Sequence, residues 1–252
     1  MKSQGSQLAL ALPRPPRKPR LGRPPKQGRK GSPHLVRPAI TRHVPVHVTM
    51  RISAAVGSMR KRHMYRAIQQ ATLRAFAAKQ IRIVHFSIQH DHLHAIVEAD
   101  DRDRLARGLQ GFQISAARRI NAKLGRRGTV FTDRYHARLL TNPRQVRNTI
   151  AYVLNNWRRH REDRRGVFRS FRIDPYASSI LFPDWVNYDF STAALRAPPT
   201  YEPLWVYLPQ CWLLRVGWRR HGLIDVTEVP ANCASPASAG RAATPKGVAQ
   251  VN

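Results

Sequence analysis

A His-Leu-His-Ala-Ile-Val run that begins at His92 most constrains the fold, because it predicts a strand with two different faces. On a strand, alternate side chains share a face, so His92 and His94 point one way while Leu93 points into the opposite layer. Two imidazoles on one rigid face can hold a divalent ion. His47 and His85, as single histidines in apolar surroundings, are instead expected to be hydrogen-bonded or exposed. The run therefore predicts a sheet with a candidate metal site on one side.

Periodic patterns on either side of this strand predict an α+β fold. Alternation of β-branched and polar residues indicates further strands, whereas apolar residues at helical spacing indicate helices. Asn142 and Pro143 occupy the preferred cap and first-turn positions of the last helix. The order β-α-β-β-α-β-α, with a hairpin in its middle, fits a ferredoxin-like antiparallel sheet with helices packed on it. The predicted strands are 44–52, 81–87, 92–98 and 129–140, and the predicted helices are 59–79, 105–124 and 143–161.

The last predicted helix carries a tyrosine that lies outside its apolar stripe. At about 100° per residue the stripe is about 100° wide, and Tyr152 lies about 140° from its centre. Asn156 lies one turn later beside Tyr152, so a phenol oxygen and a metal-ligating carbonyl can reach the same point. The alternative is a core tyrosine whose hydroxyl reaches water. The stripe consists of Val146, Ile150, Val153, Leu154 and Trp157.

The charge of the chain indicates the class of its partner. There are 44 Lys and Arg residues against 14 Asp and Glu, a formal net charge of +30, which is typical of a protein that binds nucleic acid. A membrane partner is disfavoured, because the sequence contains no run of roughly 18 apolar residues, the length that would span a bilayer. Two cysteines, Cys211 and Cys233, provide neither a disulfide framework nor a zinc site. With no convincing signal peptide, these features predict a cytoplasmic or nucleoid-associated protein.

Both ends of the chain differ in composition from its middle. Residues 1–42 are rich in Lys, Arg and Pro and contain no acidic residue, which predicts a disordered basic arm. In this arm, Arg23 and Lys26 belong to a Gly-Arg-Pro-Pro-Lys piece that resembles a degenerate AT-hook, and the alternative is an arm that contacts phosphates without sequence preference. Residues 43–175 form the predicted catalytic domain. Residues 176–230 form an extension whose aromatic and basic residues either stack on bases or pack against that domain, and 231–252 form a disordered tail.

The histidine strand and the tyrosine helix together resemble the HUH single-tyrosine transposases, which include the IS200-like group and the REP-associated tyrosine transposases. The resemblance covers about residues 43–180 and includes Arg-Tyr-His-Ala-Arg at 134–138 and Asp-Pro-Tyr at 174–176. It implies an HUH endonuclease-type fold and an enzyme that cleaves and transfers DNA strands. It also implies that His92 and His94 bind a divalent metal ion, that Tyr152 is the nucleophile, and that a polar residue one turn later completes the metal site.

That last position is Asn156, where insertion-sequence relatives usually carry Gln. Asn is one methylene shorter but keeps the carbonyl oxygen, so ligation requires a helix that lies slightly closer. Trp157 follows it where REP-associated relatives have Pro, and Asp91 stands where relatives often have Asn before the first histidine. Because the ligand set adds no negative charge, the ion keeps its full positive charge, and Mg²⁺ or Mn²⁺ fits a phosphate-binding site better than zinc.

These residues predict a metal-dependent DNA transposase or endonuclease that passes through a 5′-phosphotyrosine. The expected substrate is single-stranded or hairpin DNA, because a stiff duplex does not easily reach a pocket between sheet and helix. Monomer and homodimer both remain open. The alternative function is a non-catalytic or domesticated DNA- or RNA-binding protein derived from such a transposase. The arginines expected to hold the DNA backbone near the site are Arg134, Arg138, Arg147 and Arg158.

Overall fold

A four-stranded sheet forms the centre of the computed structural model, which describes residues 39–188 and 202–230. Its strands are β1 (Val46–Arg51), β2 (Arg82–Ile88), β3 (His92–Glu98) and β4 (His136–Leu139). The order across the sheet is β2-β3-β1-β4, and every neighbouring pair is antiparallel. The two inner strands are therefore the third and the first, which is the strand order of the predicted ferredoxin-like sheet.

Three helices pack on the sheet, two on one face and one on the other. The order of these elements is β-α-β-β-α-β-α, which confirms the predicted α+β class. None of the helices that the structure describes is long and apolar enough to cross a membrane. The helices are α1 (Arg62–Ala78), α2 (Arg102–Lys123) and α3 (Pro143–Arg159).

Helices α1 and α2 cover the face of the sheet to which Leu93 points. Leu93 is fully buried there, and Phe86 meets Phe112 edge to face with 5.6 Å between ring centroids. Helix α2 approaches the start of β2 closely at Gly108, where a Cβ atom would lie 2.5 Å from Cγ2 of Ile81. A side chain at position 108 would push the helix away from the sheet, so this glycine sets the depth of the layer.

Helix α3 covers the opposite face of the sheet. Asn142 caps its N-terminus, because the side-chain oxygen accepts a hydrogen bond from the backbone N–H of Gln145 at 2.9 Å. All five residues of its predicted apolar stripe are buried. Four of them, Val146, Ile150, Val153 and Leu154, pack in one cluster with Ile96 of the sheet and with Trp218, which lies in the C-terminal segment (residues 202–230) on the outer side of the helix. Apolar residues therefore hold α3 from two sides.

The C-terminal segment is anchored to the far end of the sheet. The buried carboxylate of Glu98 accepts hydrogen bonds from the backbone N–H groups of Gln210 and Cys211, each at 2.8 Å. The backbone N–H of Tyr207 donates to the carbonyl of Ile83 at 2.7 Å, along the outer edge of β2. Beyond this anchor the segment forms a short helix, α4 (Trp212–Arg215), and a strand β6 (Ile224–Asp225) that pairs in parallel with β5 (Trp185–Val186).

The predicted strand at 129–140 is wrong in its first half. Only His136–Leu139 joins the sheet, while Phe131 makes an isolated bridge to Ile52. The polar residues at 132–134 are exposed, so the chain leaves the sheet there and the strand pattern does not continue. The predicted arm up to residue 38, with Arg23 and Lys26, lies outside the described residues, as do Cys233 and the predicted tail at 231–252.

A buried histidine on β2 makes stability sensitive to acid. Burial lowers the pKa of His85 to about 4, from 6.5. Between these two pKa values the unfolded chain binds a proton that the folded protein excludes. The free energy of unfolding is therefore highest above about pH 6.5 and decreases as the pH falls towards about 4. We expect a loss on the order of 3 kcal/mol over that interval. Urea unfolding at a series of pH values should show a shallower dependence in His85→Leu, and an unchanged dependence would contradict the assignment.

Candidate active site

The face of the sheet below α3 carries a cluster of imidazoles. Thr49 of β1 lies opposite His94 of β3, so alternate residues of both strands share this face. The Nδ1 atom of His94 lies 3.3 Å from Nε2 of His47 and 3.2 Å from Oγ1 of Thr49. The rings of His92 and His94 are 4.6 Å apart between centroids. The two histidines singled out as ligands therefore lie side by side, with a third imidazole behind them.

Tyr152 of α3 lies against this cluster. Its ring centroid is 5.0 Å from that of His94 and 5.9 Å from that of His47, and both contacts are edge to face. The side chain is half-buried. The apolar stripe of α3 packs on other parts of the sheet and on the C-terminal segment. Tyr152 lies outside this stripe, and its ring faces the imidazoles.

Asn156 lies between two contacts that join α3 to β3. Tyr152, Asn156 and His160 follow one another at intervals of one helical turn and so share one side of the helix. Tyr152 contacts His94, and the ring of His160 lies 5.9 Å from that of His92. Asn156 is fully buried, and neither its Oδ1 nor its Nδ2 atom has a hydrogen-bond partner. The unbonded amide of Asn156 therefore lies on the side of α3 that faces His92 and His94.

A further unbonded atom belongs to the histidine pair. Nε2 of His94 is buried and has no hydrogen-bond partner, while its Nδ1 is engaged by β1. His92 bonds Asp91 through Nδ1 at 2.7 Å, which leaves its Nε2 for another contact. Buried polar groups in folded proteins are almost always bonded, and leaving one unbonded costs about 1–3 kcal/mol. These atoms are therefore where a ligand would restore the missing contacts.

Burial lowers the pKa of two imidazoles of the cluster, those of His47 and His94. It lowers the pKa of His94 well below 6.5, and the neighbouring His47, His92 and His160 lower it further. It lowers the pKa of His47 to about 4, with a smaller contribution from the charge of Arg138. Metal ions bind the neutral form of histidine, so the electrostatics of the cluster prepare the form that a metal ion requires.

The donor atoms suit a divalent cation with oxygen and nitrogen ligands. His92 and His94 offer imidazole nitrogen atoms, and Asn156 offers a carbonyl oxygen. In the described ranges, no group of three or more His, Cys, Asp or Glu residues is placed to hold a metal ion. The buried, unbonded amide of Asn156 lies on the side of α3 that faces the two histidines and offers an oxygen beside their nitrogen atoms.

Two of the arginines expected to hold DNA lie on β4 or in the loop before it. Arg138 is half-buried on β4, opposite His47 of β1. Its charge contributes to the lowered pKa of His47. Arg134 is exposed in the loop that leads into β4. Both positions are therefore open to a phosphate backbone that approaches along this edge of the sheet.

The other two expected arginines, Arg147 and Arg158, are engaged inside the protein. Arg147 pairs with Glu228, with 2.7 Å between its Nη2 and the carboxylate, and also donates to the carbonyl of Leu223. Arg158 donates to the carbonyl of Val226 at 2.7 Å. These guanidinium groups hold the C-terminal segment against α3, so their donors already have protein partners.

Sequence reasoning missed three contributors to the cluster: His47, Thr49 and His160. The alternating pattern at 44–52 does place His47 and Thr49 on one face of a strand, but it does not show that His94 lies opposite them. His160 sits one turn after Asn156, so helical spacing alone already placed it on the same side of α3. A search for all histidines on the faces of His94 and Tyr152 would have found both His47 and His160.

The chain is similar to known proteins over part of its length. A model of the family described as "Transposase IS200 like" matches residues 41–156, a range that contains His47, His92, His94, Tyr152 and Asn156. No curated protein matches the chain. A solved structure of a REP-associated tyrosine transposase bound to a REP hairpin aligns with 70% of this chain and 93% of its own, at 12% sequence identity and a TM-score of 0.43.

Proposed function

Residues 41–156 belong to the IS200-like transposase family, and on that premise we propose that the protein cleaves and rejoins DNA through a phosphotyrosine at Tyr152, with a divalent metal ion. The observation that carries the proposal is the contact of Tyr152 with His94, at 5.0 Å between ring centroids, beside a buried amide that has no hydrogen-bond partner. Phosphodiester cleavage by a side chain requires a nucleophile and a centre of positive charge at one point.

The reaction exchanges one phosphodiester for another. The phenol oxygen of Tyr152 attacks phosphorus and forms a new P–O bond, while the bond from phosphorus to the 3′ oxygen breaks. The phenol loses its proton, and the departing oxygen takes up a proton, which leaves a 5′-phosphotyrosine and a free 3′-hydroxyl. Because the number of phosphoester bonds is unchanged, a 3′-hydroxyl can later attack the phosphotyrosine and rejoin strands without a nucleotide cofactor.

Each residue of the cluster has a distinct part in this proposal. His92, His94 and Asn156 would hold Mg²⁺ or Mn²⁺, which supplies positive charge that stabilises the charge developing on the phosphate. Thr49 and His47 contact Nδ1 of His94 and fix the orientation of its ring, so that Nε2 faces the ligand position. The edge-to-face contacts of Tyr152 restrict its ring to the neighbourhood of that position.

Single-stranded DNA, or the unpaired part of a hairpin, is the proposed substrate. Helix α3 packs directly on the sheet, so a scissile phosphate reaches Tyr152 only by entering between them, which a stiff duplex cannot easily do. Arg134 and Arg138 lie on the approach along β4 and would contact the DNA backbone. Arg23 and Lys26, outside the described residues, would add phosphate contacts from the basic arm.

The test is a covalent adduct between the protein and its DNA. The full chain is incubated with Mn²⁺ and labelled hairpin DNA taken from the flanks of its own gene, and the products are separated under denaturing conditions. We expect a label on the 3′ side of the cut to travel with the protein, whereas a label on the 5′ side leaves with a free 3′-hydroxyl. A chelator should abolish the adduct. If no adduct forms while the DNA still binds, the non-catalytic alternative is correct.

Replacing Asn156 with Leu should separate metal binding from stability. The metal-free protein should be at least as stable as the wild type, because an unbonded buried amide costs about 1–3 kcal/mol. The rise in Tm that Mn²⁺ produces in the wild type should disappear, because stabilisation by a ligand depends on its affinity. Thermal unfolding with and without Mn²⁺ measures both effects.

The neighbouring Asn155 provides a matched control for this experiment. It is equally buried, but its Nδ2 donates to the carbonyl of Asp225 at 3.1 Å. Asn155→Leu should therefore lose about 1 kcal/mol of stability through the missing hydrogen bond and retain the response to Mn²⁺. A full metal response in Asn156→Leu would remove Asn156 from the proposed ligand set.

A further inference from the structure

Gln89 lies at the turn between β2 and β3, on the same side of the sheet as the histidine pair. Its backbone N–H donates to the carbonyl of His92 at 2.9 Å, which extends the strand pairing by one residue beyond β2. Ser87 of β2 lies opposite His94 of β3. Because alternate residues of a strand share a face, Ser87 and Gln89 lie on the face of His94 and His92. The two side chains of β2 therefore run beside the two imidazoles.

The side-chain amide of Gln89 is buried, and only one of its two polar atoms is bonded. The residue is 1% exposed. Its Nε2 donates to Oγ of Ser87, so the amide lies along the sheet towards the position opposite His94. Its Oε1 is buried and has no hydrogen-bond partner. Buried polar atoms in folded proteins are almost always bonded, so this oxygen is placed for a partner that the protein itself does not supply.

The position of this oxygen distinguishes it from the other unbonded amide oxygens. Among the described residues, buried amide oxygens without a partner also occur at Asn121, Asn155 and Asn156. Asn121 lies on α2, and Asn155 bonds the C-terminal segment through its Nδ2. Asn156 already has a proposed part as a ligand from α3. Gln89 is thus the one that the sheet itself brings to the histidines, where Nε2 of His94 also lacks a partner.

We infer that Oε1 of Gln89 is a further ligand of the divalent metal ion, beside the nitrogen atoms of His92 and His94. The inference rests on the proposed function, which places the ion at these histidines. Asn156 then supplies one amide oxygen from α3, and Gln89 supplies a second from the sheet. Mg²⁺ and Mn²⁺ prefer oxygen ligands, so a site with this second oxygen suits them better than a site with one.

A purely structural role for Gln89 is the alternative, and it depends on a different atom. In that role Nε2 bonds Ser87 and the side chain fills space at the turn, while Oε1 takes no part. A ligand role depends on the oxygen and becomes stronger when that oxygen carries negative charge. Replacing the amide with a thioether or with a carboxylate removes the Nε2 donor in both cases, but only the carboxylate keeps an oxygen.

The test therefore compares Gln89→Met with Gln89→Glu in the full chain. The Kd for Mn²⁺ is measured by electron paramagnetic resonance, which reports the free ion. Met matches Gln in length, but its soft thioether is a poor ligand for Mn²⁺, so we expect Kd to rise about tenfold or more. Glu adds a negative charge to a ligand oxygen, so Kd should fall below the wild-type value. The rise in Tm that Mn²⁺ produces should shrink in the first variant and grow in the second.

Gln69→Met is the matched control. Gln69 is buried on α1, on the other side of the sheet, and its Nε2 donates to the carboxylate of Glu202 at 2.8 Å. Its replacement should leave the Kd for Mn²⁺ unchanged. A wild-type Kd in Gln89→Met, or a rise in Kd in both Gln89 variants, would overturn the inference. Circular dichroism melting of the metal-free variants verifies that each is folded.

Adduct formation provides the separate readout for the proposed function. If the wild type binds Mn²⁺ but forms no adduct with DNA, the proposed function fails, while the Kd values of the two variants still decide the role of Gln89. If the wild type forms the adduct and Gln89→Met binds Mn²⁺ as the wild type does, the proposed function stands and the ligand role of Gln89 is wrong. A wild type that binds no Mn²⁺ would overturn both the metal site and this inference.

Discussion

Tyr152→Phe should lower formation of the covalent protein–DNA adduct by more than about 10⁴-fold, because it removes the attacking oxygen and leaves the rest of the site in place. The phenyl ring can keep the edge-to-face contacts with His94 and His47, at 5.0 and 5.9 Å between ring centroids. Affinity for DNA and the response of Tm to Mn²⁺ should therefore stay close to those of the wild type. Denaturing electrophoresis of the labelled adduct measures the first quantity, and a binding titration measures the second.

Tyr207→Phe is a matched control for the loss of a phenol oxygen. The hydroxyl of Tyr207 donates to the carbonyl of Phe76 at 2.6 Å, on the α1 side of the sheet. Its removal should cost about 1 kcal/mol of stability and leave adduct formation unchanged. Adduct formation at the wild-type level in Tyr152→Phe would show that another group attacks the phosphate, and the assignment of the nucleophile would be wrong.

Asp174→Ala should destabilise the protein by about 3–5 kcal/mol, because it strands a buried guanidinium. The Asp174 carboxylate and Arg60 form a two-pronged ion pair, with distances of 2.9 and 3.1 Å, and both side chains are almost completely buried. Asp174 also accepts a hydrogen bond from the backbone N–H of Tyr176 at 2.9 Å. The loss should appear as a lower midpoint in urea unfolding at neutral pH.

The double variant Arg60→Met with Asp174→Leu removes both charges. It distinguishes the destabilisation caused by one unpaired buried charge from the net contribution of the ion pair to stability. Buried ion pairs are often replaceable by apolar residues at little cost, so the double variant should recover much of the stability that Asp174→Ala loses. If the double variant is as unstable as the single one, hydrogen bonds to the backbone, such as that from Arg60 to the carbonyl of Ile88, account for the effect.

Local periodicity was sufficient to predict the three main helices and the central strands, but not the extent of the strand predicted at 129–140. The run from His92 has two chemically different faces, and the structure places Leu93 in the apolar core and His94 in the polar cluster. The stripe of α3 likewise predicted which residues would be buried and left Tyr152 outside them. These patterns are visible in the sequence because one face of each strand or helix is buried, which places apolar residues at the spacing of that element.

Contacts between distant parts of the chain were beyond these patterns. The neighbourhood of His47 and His94 depends on the pairing of β1 with β3, which periodicity does not specify. The engagement of Arg147 depends on Glu228, in a segment whose packing has no local signal. Residues 132–134 were predicted as part of a strand, but they are exposed and lie outside β4. In each case the structure depends on tertiary contacts with residues that are distant in the sequence.

The C-terminal segment also has a consequence for the order of events during protein synthesis. The residues that hold α3 from outside follow it by a long interval: Asp225 is 70 residues after Asn155, and Glu228 is 81 residues after Arg147. Tyr152 therefore leaves the ribosome well before the segment that seats its helix has been translated. On the proposed function, the nascent chain already has basic residues that attract DNA. The helix that carries Tyr152 still lacks its contacts with the C-terminal segment at that stage. On the proposed function, cutting at Tyr152 would therefore wait until the C-terminal segment has been translated and has packed on α3.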